Sequence, residues 1–460
     1  MRQQQIAELQ KDLATGLRIH QPSDAPNEWG YLVGQKNSSN RMEVDLENIS
    51  TARQRLNQSV SSLTEAGNIL TRARELAIAG PQSLERETLA SEADRLIDAM
   101  LAIGNSSVAG VQQYAGTASS TIPFVVTSED ESGRPTAIEY VGSNDSSDVV
   151  VSPGITASAL PSGVEVFQQS RRTPSQYIGP TGAKAGQGTD SAVGTGELIV
   201  KHTATVYGSG SIAPGASSVG GDTIIGASGA NTLTILTDAN GDRFVRLNGG
   251  ERFEFDASST DLRVVGPDGE RAFVDLSGLL PSFSGDIAIE ATGTISVDGG
   301  LTETAIDFTN NQVLTDDATG SVTVIDSSSI RRPGTDRIEY SGTDGVFESL
   351  IRLRDDLRKA NDLPAPELQT ILDARIADIQ RAHDQVTEFV GEQAVELSNI
   401  EVLENRVREL KLVTDEAVIE LENADVADAI VKLQTEQNHL QFIYATAAMI
   451  TQNSLLDFIR

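Results

Sequence analysis

Between Leu46 and Ala77 the apolar positions recur every three or four residues. Leu46, Ile49, Leu56, Val60, Leu63, Leu70 and Ala77 share one track, interrupted by Arg53, Gly67 and Arg74. This alternation over more than four repeats predicts a heptad seam on a single long helix. As helix, residues 41–79 span about 58 Å at 1.5 Å per residue. A rod of that length cannot bury its stripe against itself and requires a second long helix. Gly80-Pro81 predicts its end, because Gly supports a C-terminal cap and Pro cannot continue the ladder. A shorter helix is expected over 83–103, with Leu84, Leu89, Ala93, Leu96, Ile97 and Met100 as its apolar set.

The last third supplies the partner. Residues 367–421 carry Leu368, Ile371, Leu372, Ile376, Ile379, Val386, Val390, Leu397, Ile400, Val407 and Leu410, and the last six stay on one seam. Asn423-Ala424-Asp425 offers an N-cap for a final helix over 426–459. Its stripe includes Ile430, Leu433, Leu440, Ile443, Ala447, Ile450 and Leu455. Two helical ends far apart in sequence are expected to pair as a coiled coil or helical bundle.

The pattern changes to period two in the middle. Short alternating runs occur at 122–126, 137–141, 149–151, 197–200, 232–236, 244–247, 252–255, 262–265, 272–276, 287–290 and 322–325. Asn240-Gly241, Asn248-Gly249, Asp268-Gly269, Asp298-Gly299 and Asp344-Gly345 fall between or after them, and such dipeptides supply the positive φ of tight hairpin turns. An antiparallel sandwich or barrel-like domain follows. Residues 179–230 are richer in Gly, Ser and Thr and read as a separate small lobe or a loop.

Composition follows the same divisions. The chain of 460 residues is about three domains long at roughly 150 residues each. The fold class expected is α+β and multidomain, with paired long terminal helices and an inserted antiparallel β domain. Residues 1–115 form the N-terminal half of a helical rod, 116–345 the β-rich insertion, possessing one lobe or two, and 346–460 the C-terminal half. Against 66 acidic residues stand 35 Lys and Arg, for a net charge of −31. That balance argues against nucleic acid and anionic membrane surfaces as partners, since both need clustered cations. The absence of Cys excludes disulfides, thiolate metal sites and cysteine nucleophiles. Aromatic residues are 4% of the chain, which disfavours a large aromatic core. The polar start, Met1 to Gln5, has no apolar signal segment, and no run approaches the roughly 20 apolar residues of a membrane helix.

Chemical motifs are sparse. His20, His202, His383 and His439 lack the spacing that places two ligands on one helical face. His383 and His439 read as solvated or intersubunit positions on helices. Asp238-Ala-Asn-Gly-Asp242 resembles the start of a calcium loop, but the distant bidentate Glu is missing, so a hairpin turn is the expectation. Gly208-Ser-Gly-Ser completes no phosphate-binding fingerprint. Nothing separates a glycosidase-type carboxylate pair from ordinary acidic surface. No catalytic residue, cofactor or metal site is expected. The acidic excess reads as a solubility device that suppresses premature association.

Both ends resemble the flagellin superfamily. Leu13-Ala-Thr-Gly-Leu-Arg-Ile19, then Gln21-Pro-Ser-Asp-Ala-Pro26, is similar to the family's Leu-Ser-Ser/Thr-Gly-Lys/Leu-Arg-Ile and Pro-Ser-Asp-Asp-Pro. Arg72-Ala-Arg-Glu-Leu-Ala77 also looks like the family. Leu421-Glu-Asn-Ala-Asp-Val-Ala-Asp-Ala-Ile430 is similar to Glu-Asp-Ala-Asp-Leu-Ala-Glu-Ala-Ile. Ile450-Thr-Gln-Asn-Ser-Leu-Leu-Asp-Phe-Ile459 resembles the family's ending, in a form closer to the hook–filament junction branch than to filament flagellin. Gly345-Val-Phe-Glu-Ser-Leu-Ile-Arg-Leu-Arg354 looks like that branch's re-entry helix. The likeness covers about 1–105 and 345–460, and the middle resembles nothing nameable.

The resemblance implies a structural subunit, not an enzyme, that stacks in a ring or tube and joins hook to filament. It implies Thr15, Gly16, Arg18, Ile19, Pro22, Ser23, Asp24, Leu440, Ile443, Ile450, Leu455, Leu456 and Phe458 as assembly residues. Implied partners are further copies of the chain, a neighbouring hook-associated protein, flagellin and an export chaperone. The implied location is the extracellular flagellum, reached by the flagellar type III route without a cleaved signal. Filament flagellin is the alternative, and a scaffold carrying a glycan-binding or enzymatic outer domain is another. Locally, Gly16 is expected to break the first helix, Pro22 and Pro26 to stiffen the loop, and Ser23 or Asp24 to cap the next helix. Only residues 1–13 precede the Thr-Gly-x-Arg-Ile motif, where the family usually has a longer arm, so an upstream segment carrying the export signal is the expectation.

Overall fold

The computed structural model describes residues 2–458 apart from 109, 153–154, 169–170, 210 and 360–362. The helices are α1 (Arg2–Thr15), α2 (Pro26–Ala79), α3 (Arg86–Gly104), α4 (Gly163–Phe167), α5 (Ser218–Gly221), α6 (Val346–Lys359), α7 (Ala365–Glu422) and α8 (Val426–Phe458). The chain divides into two compact units. One comprises Met1–Val60, Ser147–Leu160 and Gly391–Arg460, the other Ser61–Ser146 and Pro161–Val390. The unit boundaries therefore fall inside α2 and α7, whereas the changes of composition fall near the ends of α3 and the start of α6.

Helix α2 starts at Pro26 rather than near residue 41. Proline at a first helical position costs no hydrogen bond and presets φ. The buried track extends into this added stretch, with Leu32 and Ser39 seven residues apart. Farther along, the track differs from the expected one. Its buried positions at alternating three- and four-residue steps are Ile49, Ala52, Leu56, Ser59, Leu63, Ala66, Leu70, Ala73 and Ala77, with Leu76 and Ser62 buried beside them. Arg53, Val60 and Gly67 lie beside this seam, and Arg74 is exposed. The 3-4 alternation holds, but one of its two heptad tracks is made of small residues. Alanine contributes too little hydropathy to announce a seam, yet it admits the close backbone approach that buries its neighbour.

On α7 the buried positions include Leu368, Leu372, Arg375, Ile379, Ala382, Val386, Gln393, Ile400 and Glu404. Leu410, expected on the seam, is 48% exposed. In the first unit Ile49, Ala52 and Leu56 of α2 form a core with Ile400 and with Val151, from the hairpin Ser147–Ser152/Ile155–Leu160. The seam edge there is charged. Arg53 Nη1 meets Glu404 Oε2 at 2.8 Å, and Lys36 Nζ meets Glu422 Oε1 at 2.6 Å. These pairs show that the two helices run antiparallel here, because rising numbers on α2 meet falling numbers on α7.

The second unit buries α3, α6 and the facing parts of α2 and α7 in one core that includes Leu70, Ile97, Met100, Leu350, Leu353, Leu372 and Ile379. Gly67 lies beside His383, and the site a Gly80 Cβ would occupy is filled by Leu372 and Leu357. His383 is thus a half-buried neighbour of the seam rather than a solvated position, whereas His439 is exposed.

All eleven expected strand runs overlap observed strands. The main sheet is antiparallel, in the order Phe253–Glu254, Arg243–Leu247, Gly226–Thr237, Gly285–Ser296, Gly194–Tyr207, Gly334–Tyr340 and Gln176–Ile178. Residues 179–230 are not a detached loop, since Gly194–Tyr207 is one of its central strands. The long strands serve two cores. Leu233, Ile235, Val245 and Ile289 pack with Val264 and Val274 in one. Leu198, Val200, Ile295 and Ile338 pack with Leu314 and Ile325 in the other.

Four of the five turn dipeptides have the expected positive φ. At Asn248-Gly249 both residues do, at 51° and 77°. Asp238 accepts the backbone N–H groups of Asn240 and Asp242 across the Asn-Gly turn, which is the hairpin reading of that segment. Asp344-Gly345 is the exception. It leads into α6, with the Ser349 N–H bonded to the Gly345 carbonyl.

At Asp298-Gly299 the carboxylate accepts the Ser296 hydroxyl at 2.6 Å and the Thr302 N–H at 2.9 Å. These bonds hold its pKa down to about 2, with the serine hydroxyl the largest cause. A depressed carboxylate contributes stability that is present above its unfolded value and lost as pH falls through the folded one. The turn's contribution is therefore expected to decline as pH falls below 3.8 and to be gone below about 2. A carboxyl titration by NMR reads this directly, and a midpoint for Asp298 at or above the usual aspartate value would contradict it.

Candidate functional site: the clasp of the two chain ends

The residues from Thr15 to Asp24 lie in the first unit and close on the turn between α7 and α8. Helix α1 ends where the Gly16 N–H bonds to the Asp12 carbonyl at 2.7 Å and Gly16 adopts φ +72°. The chain then pairs with residues some four hundred positions later. Leu17 and Asn423 form an antiparallel bridge. The Arg18 N–H donates to the Glu422 carbonyl at 2.6 Å, and the Ala424 N–H donates to the Gly16 carbonyl at 2.9 Å. Backbone groups left over at both helix ends are thereby satisfied by each other.

Side chains reinforce the clasp. Arg18 Nη2 donates to the Leu421 carbonyl at 3.1 Å and also meets Glu28 on α2. Ile19 is 1% exposed and anchors the loop. Thr15 Oγ1 donates to the Lys11 carbonyl and accepts the Leu17 N–H. His20 Nε2 lies 3.0 Å from Asp12 Oδ1.

Asp24 does not cap α2 as expected. Its Oδ2 accepts the N–H groups of His20 and Gln21, and the His20 bond is the main cause of its lowered pKa. The carboxylate closes the loop on itself instead, because two N–H groups just upstream point at it. Pro22 and Ser23 are exposed. The expected cap on α8 does form, as Asp425 Oδ1 accepts the Asp428 N–H at 3.0 Å.

Helix α8 packs along α1, where Gln3 Nε2 donates to the Tyr444 hydroxyl at 3.0 Å. An open groove of about 440 Å³ lies between them, lined by Gln5, Glu8, Leu9, Asp12, Lys432, Thr435 and Glu436. Leu440 is half-buried, whereas Ile443 is 44% exposed and Phe442 70%. Ile450, Leu455, Leu456 and Phe458 lie on α8, but their side chains are outside the described residues.

The arrangement is mechanical. Gly16, Arg18 and Ile19 hold the loop, and Leu421 to Ala424 receive it. Sequence reasoning found the second segment as a motif and as a cap. It missed the pairing, for which one sequence carries no signal. Asp12, His20 and Lys36 were missed as well. Among the described residues no group of three His, Asp or Glu can hold a metal, and no helix is long and apolar enough to cross a membrane.

Gly16 gives a clean test of the clasp. A Cβ there meets nothing within 4 Å, so only the left-handed backbone opposes a side chain. Gly16→Ala is expected to cost about 1–2 kcal/mol. Hydrogen exchange at Leu17 and Arg18 should quicken accordingly, and unchanged protection would show that the clasp is not set by this residue.

Comparison with known proteins places the N-terminal quarter. Residues 1–117 match the family model for the bacterial flagellin N-terminal helical region, so the chain carries such a region. No curated protein matches the chain. Among solved structures, hook-associated protein 3 from Legionella pneumophila is similar at 18% identity and a TM-score of 0.44, covering 84% of this chain and 98% of its own. The junction protein FlgL from the same organism gives 18% and 0.41, over 84% and 99%. Xanthomonas campestris FlgL gives 19% and 0.39, over 78% and 93%.

Proposed function

We propose that this chain is a structural subunit of the bacterial flagellum, joins hook to filament and assembles through its terminal helices. The observation that carries the reading is the clasp. A flagellin-type N-terminal region is hydrogen-bonded, at its Thr-Gly-x-Arg-Ile loop, to the segment that launches the last helix. The two ends of the chain thus act as one element, although a large β-rich insertion separates them. Exposed apolar side chains on α8, Phe442, Ile443, Tyr444 and Met449, supply surface for neighbouring subunits. In this reading the β-rich part faces outward and has no catalytic duty. The partners are further copies, a hook-associated neighbour and flagellin. Export runs through the flagellar secretion channel with the help of a chaperone, and the absence of disulfides suits a chain threaded unfolded.

Immunogold labelling of native flagella tests the proposal. A single band between hook and filament is the expected result. Labelling along the filament would make the chain a filament flagellin, and absence from the flagellum would remove the reading altogether.

A further inference from the structure

The second unit contains a buried ion cluster that the terminal clasp does not use. Arg375 of α7 is fully buried at a seam position, between Leu368 and Leu372 on one side and Ile379 and Ala382 on the other. Its guanidinium faces four carboxylates. Nη1 lies 2.8 Å from Asp378 and 3.2 Å from Asp344, Nε lies 3.3 Å from Asp356, and Nη2 meets Glu339. Three further arginines complete the set. Arg337 binds Glu339 and Asp356, Arg352 binds Asp344, and Arg381 binds Asp378. Four guanidinium groups thus face four carboxyl groups.

Three of the carboxylates are off α7. Glu339 is on the strand Gly334–Tyr340, Asp344 is in the turn that follows and Asp356 is on α6. The site is therefore fixed in space by other elements, and α7 brings the guanidinium to it. The rest of the seam is repetitive. On α2, Leu63 and Leu70 repeat at seven residues, as do Ala66 and Ala73, and on α7 so do Leu372, Ile379 and Val386. Apolar packing between such repeats distinguishes poorly between the observed register and one displaced by a heptad. A seven-residue slip moves α7 by about 10 Å. It would put Leu368 or Ala382 beside the three fixed carboxylates and leave Arg375 buried with Asp378 alone, which travels on α7.

We infer that the Arg375 cluster is a register lock, which selects one axial position of α7 against α2 where the apolar seam alone does not. Buried ion pairs contribute little net stability, but a misplaced one is strongly unfavourable, so the discrimination lies in the displaced state.

The chain has no cysteine, so introduced pairs report register without background. Gly67→Cys with His383→Cys, read with a short rigid bis-thiol cross-linker, joins positions whose side chains face each other, since a Cβ at Gly67 lies 3.9 Å from the His383 Nε2. Gly67→Cys with Val390→Cys, or with Ile376→Cys, joins positions that meet only after a slip. Such a linker spans the facing pair but not one displaced by a heptad, about 10 Å along the helix axis. In the full chain only the first pair should cross-link. With Arg375→Met added, a displaced link should rise at least about tenfold, as expected for loss of a strong discriminator. A second variant moves the charge instead. Arg375→Leu with Ala382→Arg should transfer the dominant link from the 67/383 pair to the 67/390 pair. If both variants keep their helix content and the 67/383 link alone, the lock is refuted. It is equally refuted if Arg375→Met abolishes helical structure and the relocated arginine fails to restore it, since the residue would then serve folding and not register.

Discussion

Removal of Leu440–Arg460 is expected to abolish assembly while the second unit stays folded. The deletion takes the exposed apolar face of α8 and the Tyr444 hydroxyl that binds Gln3, but leaves the clasp at Gly16, Leu17 and Arg18 intact. Long helices draw most of their stability from the surface they bury, so the shortened α8 and its partner α1 should fray. The second unit draws on none of these residues, because its three cores are assembled from 63–386. Two measurements separate the effects. Sedimentation of the purified variant with filament-forming conditions should show no polymer, where the full chain pellets. Near-ultraviolet circular dichroism should retain the aromatic signal of the second unit. Normal polymers from the truncated chain would overturn the assignment of the assembly surface to α8.

Phe167→Ala should produce the largest loss of stability from a single side chain in the second unit, about 3–5 kcal/mol. The sequence contains twelve Phe, seven Tyr and one Trp, and five of these rings converge at one place. Phe167 is fully buried, with ring centroids 5.2 Å from Tyr114, 5.3 Å from Phe124 and 5.9 Å from Phe347. Phe124 in turn stands 5.2 Å from Tyr140. The contacts with Tyr114 and Phe124 are edge-on, an arrangement that adds to area burial. Local geometry delivers the ring. Ser162 caps α4 by accepting the Glu165 N–H, and Glu165 accepts the Ser162 N–H in return. That reciprocal cap turns five residues into a helix ending at Phe167. Truncation would leave a void lined by the rings of Tyr114, Phe124 and Phe347, which the surroundings cannot collapse to fill. The check is urea unfolding followed by aromatic fluorescence, and a midpoint within error of the parent chain would contradict the expected cost.

This cluster shows where composition misleads. A low aromatic fraction argues against a large aromatic core when residues are assumed to be spread evenly. Here Tyr114 follows α3, Phe124 and Tyr140 sit on a hairpin, Phe167 ends α4 and Phe347 opens α6. No window of sequence contains them together. The heptad seam shows the converse. Its period and its stop at Gly80 were legible, but Ala52, Ser59, Ala66 and Ala73 were passed over for Arg53, Val60, Gly67 and Arg74. Hydropathy ranks alanine and serine low, whereas burial depends on which face meets a neighbour. Arg375 is the same lesson with a charge, because a residue that normally marks a surface is the most deeply buried cation on α7.

By itself the sequence determined the periods: 3.5 at both ends, two in the middle, and the turn residues that separate the strands. Those are local properties, set by which dihedrals a residue tolerates and by the spacing at which side chains share a face. From them came the long helices, the antiparallel strands and the order in which they occur. Tertiary structure alone decided which elements meet. The bridge from Leu17 to Asn423, the five-ring cluster and the carboxylates around Arg375 each join positions distant in the chain. Their energies depend on burial and on partners supplied from elsewhere, and nothing local to any one of these residues names its partner.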